Sequence, residues 1–135
     1  MLTKKTKYGL KAMAYLARNS HGQPILISEI ALNENIPLKF LEGILLDLKK
    51  SGLLTSKKGK GGGYLLEIPA KNIPIAAIIR VLDGPIALLP CVSLNYYKKC
   101  DDCIDEVSCS LNRVMVQVRD KTLKVLESQS LEDLI

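Results

Sequence analysis

The chain has no tryptophan, one phenylalanine and one histidine, and aromatic residues make up only 4% of its 135 positions. Base-stacking platforms on a β-sheet need several exposed rings, so an RNA-recognition fold of that kind is not expected. The lone His21 falls in the polar break at residues 19–24 and reads as a solvated loop residue. It leaves few options for general-base chemistry, and no Ser/His/Asp set or paired-carboxylate site is present, which argues against an enzyme. Long apolar runs are missing as well. No window reaches the roughly 18 apolar residues that a membrane helix requires, and the start Met1-Leu2-Thr3-Lys4-Lys5 leads into charged helix rather than an apolar signal core. The expectation is a cytoplasmic protein with no membrane partner.

Cysteine is absent from most of the chain and concentrated in one place: Cys91, Cys100, Cys103 and Cys109. In a reducing compartment such a cluster points to metal binding or thiol redox chemistry before structural disulfides. Charge is just as uneven. Residues 1–66 hold 11 basic and 4 acidic side chains, whereas residues 67–135 hold 8 and 10, within an overall charge of +5. The first half is a candidate polyanion surface, and the second has another task.

A first helix is expected from Tyr8 to Arg18, with Leu10, Ala14 and Ala17 on its apolar face, Met13 and Leu16 flanking it and Thr6 as cap. A short second helix should start at the N-cap Ser28 and end at Asn33-Glu34-Asn35. Pro37 suits the start of a third, where Leu41, Ile44, Leu45 and Leu48 follow at the i, i+3, i+4, i+7 spacing of a buried face, and Gly52 ends it. Residues 53–56 and 64–68 read as two strands joined by Lys57-Lys58-Gly59-Lys60-Gly61-Gly62-Gly63, a basic glycine-rich tip. Three helices and a hairpin in this order are a winged helix-turn-helix. Residues 75–82 read as a mostly buried helix stopped by Asp83-Gly84-Pro85.

From 111 to 127 there is no Gly or Pro, and Leu111, Val114, Met115, Val118, Thr122, Val125 and Leu126 recur at helical intervals. Such a stripe needs a cover, and a second copy of the same helix is the economical one, giving a homodimer. The alternative is that the helix folds back on its own domain. The fold expected is mainly α with a small β-hairpin: a winged helix-turn-helix over residues 1–84, a cysteine-containing sensor loop over 85–110, and a dimerisation helix with its tail over 111–135.

A helix entering the major groove shows polar side chains near its N-terminus, opposite its core stripe. Those positions are Lys39, Phe40, Glu42 and Gly43. Lys39 can donate to guanine or phosphate, Glu42 can accept from cytosine, and Phe40 can touch a thymine methyl. Lys49 and Lys50 lie at the far end, better placed for phosphates. Lys57, Lys58 and Lys60 concentrate charge on a tip whose glycines permit close approach to a sugar-phosphate backbone. A solvated loop would carry the same charges, but its place directly after a helix-turn-helix is that of a wing. Gly59-Lys60-Gly61-Gly62-Gly63-Tyr64 lacks the Gly-Lys-Ser/Thr ending of a nucleotide-binding loop.

Four stretches together resemble the Rrf family of bacterial winged-helix regulators: Tyr8-Gly9-Leu10-Lys11-Ala12-Met13, Ile36-Pro37-Leu38-Lys39-Phe40-Leu41-Glu42, the wing from Gly59 to Leu66, and Ser130-Leu131-Glu132-Asp133-Leu134. The likeness covers essentially the whole chain. It implies a homodimer held by the long helix and gripping a palindromic operator in double-stranded DNA. The family's readers fall on Pro37, Lys39, Phe40 and Glu42, and its wing cation on Lys58. Pro37 stands where some members carry a hydroxyl, so the operator sequence cannot be carried over from a relative.

The spacing Cys91-(8)-Cys100-(2)-Cys103-(5)-Cys109 offers a close chelating pair and two flanking thiols. Four sulfur ligands suit one iron-sulfur cluster, 2Fe-2S or 4Fe-4S, with a tetrahedral zinc as the alternative and a metal-free loop of simple or redox-active thiols as a third reading. Iron-sulfur members of the family use three loop cysteines, which Cys91, Cys103 and Cys109 match best. Their fourth ligand is a histidine three residues after the last cysteine, or an acidic residue of the partner's first helix. Here those positions are Asn112 and Tyr8, and Cys100 is the extra thiol that can replace them. Asp101, Asp102, Asp105 and Glu106 share the loop, and negative charge there would lower a cluster's potential. A thiol oxidoreductase built on Cys100-Asp101-Asp102-Cys103 lacks the strand-then-helix setting of thioredoxin-like folds. The function expected is a DNA-binding transcriptional regulator that senses redox, nitric oxide or iron-sulfur status. Its rivals are a cluster-free regulator answering to a metabolite or partner protein, and an architectural nucleic-acid protein.

Overall fold

In the computed structural model, which describes residues 2–135, the first helix starts earlier than its apolar spacing implies. Helix α1 (Lys4–Asn19) is capped by Thr3, whose hydroxyl accepts from the Thr6 amide at 3.2 Å. Thr6, the expected cap, is instead fully buried and donates its own hydroxyl to Asp83 at 2.9 Å. Asp83 also accepts from the Thr3 amide at 3.0 Å, so a carboxylate 80 positions away pins the helix start. The inward face is turned as well. Ala12, Met13 and Leu16 are completely buried, while Leu10 and Ala17 are only partly covered. Neighbours on several sides, namely α3 (Leu38–Lys50), α4 (Ile75–Leu82) and the C-terminal turn, cover more of α1 than one amphipathic stripe requires. At Gly9 a Cβ would meet the terminal methyl of Leu82, so glycine lets α1 and α4 approach with that side chain left in place.

Helix α2 (Ile27–Glu34) begins one residue before Ser28, which is therefore not its cap; the capping position is Leu26, and no side chain caps the helix. Backbone pairing replaces it. Ile25 exchanges two hydrogen bonds of 2.8 Å with Tyr64, so the chain enters α2 from a fixed rung against the hairpin. Asn35 closes α2 at a left-handed φ of 53°, a conformation asparagine tolerates. Pro37 then leads into α3, where Leu41, Ile44, Leu45 and Leu48 are all buried, as their spacing requires. Strands β1 (Leu54–Lys57) and β2 (Gly63–Leu66) pair antiparallel, Leu54 opposite Leu66 and Lys57 opposite Gly63. The ladder sits nearer the wing tip than residues 53–56 and 64–68 imply, because the Lys57–Gly63 pair extends it to the loop.

Helix α4 coincides with the apolar run expected to form it, and Ala76, Ile78, Ile79 and Leu82 are buried. Helix α5 (Ser110–Ser128) matches the long Gly- and Pro-free segment. Its one buried residue is Leu123, which the stripe read from the sequence leaves out. Much of the stripe is uncovered: Leu111, Val114 and Val125 are 55%, 52% and 58% exposed, whereas Met115, Val118 and Leu126 are half-buried. After α5 the chain returns. Leu131 donates its amide to the Ile73 carbonyl at 2.8 Å and buries its side chain completely in the core shared by α1 and α3. Among the described residues no helix is long and apolar enough to cross a membrane.

Candidate functional site

The outward face of α3 carries Lys39, Phe40, Glu42 and Gly43, all exposed, with Lys49 and Lys50 exposed at its last turn. Lys39 Nζ lies 3.8 Å from the Glu42 carboxylate, a loose pair one helical turn apart that a ligand can open. Phe40 is held by an edge-on contact with Tyr8 of α1 at 5.5 Å between ring centres, which fixes a ring still 42% exposed. The wing places Lys57, Lys58 and Lys60 in solvent. Among the described residues, Lys49, Lys50, Lys57, Lys58 and Lys60 enter no ion pair. Gly63, at the wing's return, has φ 144° and lies so close to the Ile25 carbonyl that a Cβ would overlap it. The glycine-rich stretch is therefore more than a flexible tip, since one of its glycines lets the wing dock on Ile25, two residues before α2.

All four cysteines line one open cavity of 440 Å³, together with Asn112, Asp102 and Glu106. A backbone hydrogen bond of 3.1 Å from Lys98 to the Pro90 carbonyl closes residues 90–98 into a loop, and another of 3.1 Å from Cys103 to the Cys100 carbonyl turns the chelating pair. Cys109 is the N-cap of α5, its sulfur accepting from the Asn112 amide at 3.4 Å. The Asn112 side chain donates to the Cys91 sulfur, also at 3.4 Å. A hydrogen bond with Cys91 pushes the Cys100 thiol above its ordinary value, with Asp102 and the neighbouring sulfurs adding to the effect. Cys103 is raised by burial and then by Glu106. Glu106 in turn accepts from the Tyr97 hydroxyl, which pushes that phenol up to about 12.

Among the described residues no three His, Cys, Asp or Glu side chains converge on a point suited to a single metal ion. The thiols surround a space instead of meeting at its centre. Soft thiolate donors around a shared cavity match an iron-sulfur group in chemistry, and a cluster spreads its ligands over more than one iron. His21 is exposed in the turn after α1 and takes no part. Two contributors, Asn112 and Arg119, carry no mark of residue type that points to this site. Arg119 donates to the Val92 carbonyl at 3.0 Å, tying the cysteine-bearing turn to the middle of α5. For Asn112 the one available signal is its position, three residues past the last cysteine.

Helix α5 links this cavity to α4. Arg80 of α4 pairs with Glu127 of α5 at 3.0 Å, and the Ile75 amide donates to the Gln129 carbonyl at 3.0 Å. Beside α5 lies an apolar hollow of 380 Å³ lined by Leu2, Pro85, Ile86, Leu88, Val118 and Leu126.

A helix-turn-helix with a lysine-bearing hairpin behind it, extended by a cysteine loop and a long helix, defines a winged helix-turn-helix regulator. The sequence matches the Rrf2 family, described as iron-dependent transcriptional regulators, over residues 2–135, and the chain belongs to that family. It is 43% identical over 138 residues to an rrf2-like HTH-type transcriptional regulator of Rhodobacter capsulatus, an alignment covering 100% of this chain and 92% of the relative. It is also 33% identical over 103 residues to the HTH-type transcriptional regulator IscR of Escherichia coli, covering 76% of this chain and 64% of IscR. Among solved structures, CymR, the global cysteine regulator of B. subtilis, superposes with a TM-score of 0.80 at 31% identity over 99% of this chain and 95% of CymR. IscR of T. potens does so with 0.76 at 29% identity, over 99% and 85% of the two chains. These relatives are regulators of transcription, and so is this chain, which is not an enzyme.

Proposed function

We propose that the protein is a cytoplasmic, sequence-specific DNA-binding regulator that works as a homodimer on a palindromic operator and senses redox, nitric oxide or iron-sulfur status through its cysteine loop. The observation that carries the DNA reading is the set of unpaired lysines. Five exposed ammonium groups on the end of α3 and on the wing have no acidic partner among the described residues. Phosphates are the partners they fit, while Lys39, Phe40 and Glu42 occupy the base-reading face. The exposed α5 stripe and the apolar hollow beside it support a second copy as the cover.

The same four cysteines would hold an iron-sulfur cluster, whose chemistry when bound is electron transfer and reaction with oxidants or nitric oxide. What this chain's own residues do is connect the cavity to α5. Asn112 holds Cys91, Arg119 holds the Val92 carbonyl, and Cys109 is itself the helix cap. A change at the sulfurs therefore acts on the N-terminal end of the helix that joins the reading heads of a dimer.

Anaerobic purification with iron and sulfide analysis and an absorption spectrum tests the sensor reading. Iron and sulfide with visible absorption support it, and their absence shifts the assignment to a cluster-free regulator or, if zinc is found, to a structural zinc. Binding to a selected operator tests the reader. Lys58→Ala should weaken affinity across sequences and flatten the salt dependence by about one phosphate contact, whereas Lys39→Ala should change sequence preference. Unchanged affinity in both variants removes the assigned roles.

A further inference from the structure

Asn112 stands between two cysteines and bonds to both. Its backbone amide donates to Cys109 Sγ and its side-chain Nδ2 to Cys91 Sγ, each at 3.4 Å. The first bond belongs to the helix, because Cys109 is the N-cap of α5 and Asn112 its third residue. The second does not. It spans 21 positions and joins the turn at residues 90–92 to α5 through a side chain. A carboxamide is a poor ligand for iron beside thiolates, since its neutral oxygen is a hard donor. Its NH2 group, in contrast, is a good donor to a sulfur that carries negative charge.

We propose that Asn112 is a positioning residue of the cysteine site: it does not ligate, but holds Cys91 beside Cys109 and places an N–H···S hydrogen bond on the Cys91 sulfur. The consequence for a cluster rests on the iron-sulfur reading given above, while the contact itself stands without it. A hydrogen bond to a ligand sulfur stabilises the more negative, reduced state and so raises the reduction potential. Asn112 thereby opposes the acidic residues of the loop, which lower it.

Two measurements test this. In the cluster-free full chain, the side-chain NH2 resonances of Asn112 in a nitrogen–proton correlation spectrum should move on Cys91→Ala. Those of Asn33, whose Nδ2 donates to the Glu29 carbonyl at 2.8 Å far from the loop, should stay. An Asn112 pair that does not move overturns the proposal. In protein reconstituted with ferrous iron and sulfide, Asn112→Ala should lower the midpoint potential at wild-type iron content, and Asn112→Asp should lower it further by adding charge. An acidic residue in the first turn favours a helix, so fraying of α5 does not account for the Asp result. Equal potentials in all three proteins overturn the tuning role; loss of iron uptake with helical circular dichroism intact supports positioning. If the wild-type protein takes up no iron, the cluster reading falls, and the resonance measurement still decides the contact.

Discussion

Gly63→Ala is the sharpest test of how the wing is seated. Gly63 has φ 144° and packs against the Ile25 carbonyl, so the new Cβ forces the hairpin away from residue 25. The separation breaks the two Ile25–Tyr64 hydrogen bonds of 2.8 Å. At about 0.5–1.5 kcal/mol each they contribute about 2 kcal/mol, and placing a side chain at that φ adds about 1 kcal/mol or more. The expected loss is about 3 kcal/mol, a fall in melting temperature of about 12 °C for a domain of this size. Gly61→Ala is the matched control. Its φ is 76° and nothing lies within 4 Å of where its Cβ would stand. Only the conformational penalty applies there, about 1 kcal/mol and about 4 °C. Thermal unfolding followed by circular dichroism, with hydrogen exchange at the Ile25 and Tyr64 amides, measures both variants. Equal losses in the two, or unchanged protection of those amides in Gly63→Ala, would refute the docked-wing argument.

Three further outcomes follow from the packing and the charges. Leu131 is 0% exposed, so Leu131→Ala should destabilise the fold by about 2–5 kcal/mol in chemical denaturation although it lies close to the C-terminal end of the sequence. Val114→Glu with Val125→Glu alters side chains more than half exposed in one chain; sedimentation should show monomers with unchanged helix content, and a persistent dimer would move the interface elsewhere. In an alkaline titration followed by phenolate absorbance, Tyr97 should ionise near 12, and Glu106→Gln should bring it back toward the ordinary value of about 10. The neutral phenol is the form that donates to Glu106, so the bond's contribution is complete below the ordinary value and disappears as pH climbs through about 12.

Local chemistry makes much of this fold legible. The stripe of α3 and the extent of α4 follow from apolar spacing and from Pro and Gly at their borders, and the extent of α5 from a long run free of both. What is not legible depends on partners distant in sequence. Thr6 looks like a cap until Asp83 is brought to it, and Ser28 looks like one until the Ile25–Tyr64 rung fixes the entry to α2. Leu123 and the outward stripe of α5 exchange expectations for a similar reason, because periodicity gives the apolar residues of a helix but not which of them its own chain covers. At the site, the cysteines declare themselves by residue type and spacing. Asn112 and Arg119 are ordinary helix residues whose roles arise only when the turn at residues 90–92 is laid against α5.

The ties along α5 differ enough in strength to indicate how a signal at the sulfurs would travel. Coupling between sites typically amounts to about 1–3 kcal/mol. The Arg80–Glu127 pair is 30% and 53% exposed, and surface pairs of this kind are worth at most about 1 kcal/mol. Arg119 is different: its side chain is 16% exposed, and it donates to a backbone carbonyl at 3.0 Å, a charged hydrogen bond worth about 1.5–3 kcal/mol. Leu123, 7% exposed, adds the burial of one leucine one turn further on, at about 2 kcal/mol. The strong ties therefore lie in the middle of α5, and the surface ion pair at its end is too weak to carry the coupling. A signal arising at the cysteine loop would therefore enter α5 through Asn112 and Arg119, and its route from α5 to α4 would be the packing of the two helices and the backbone bond from Ile75 to Gln129.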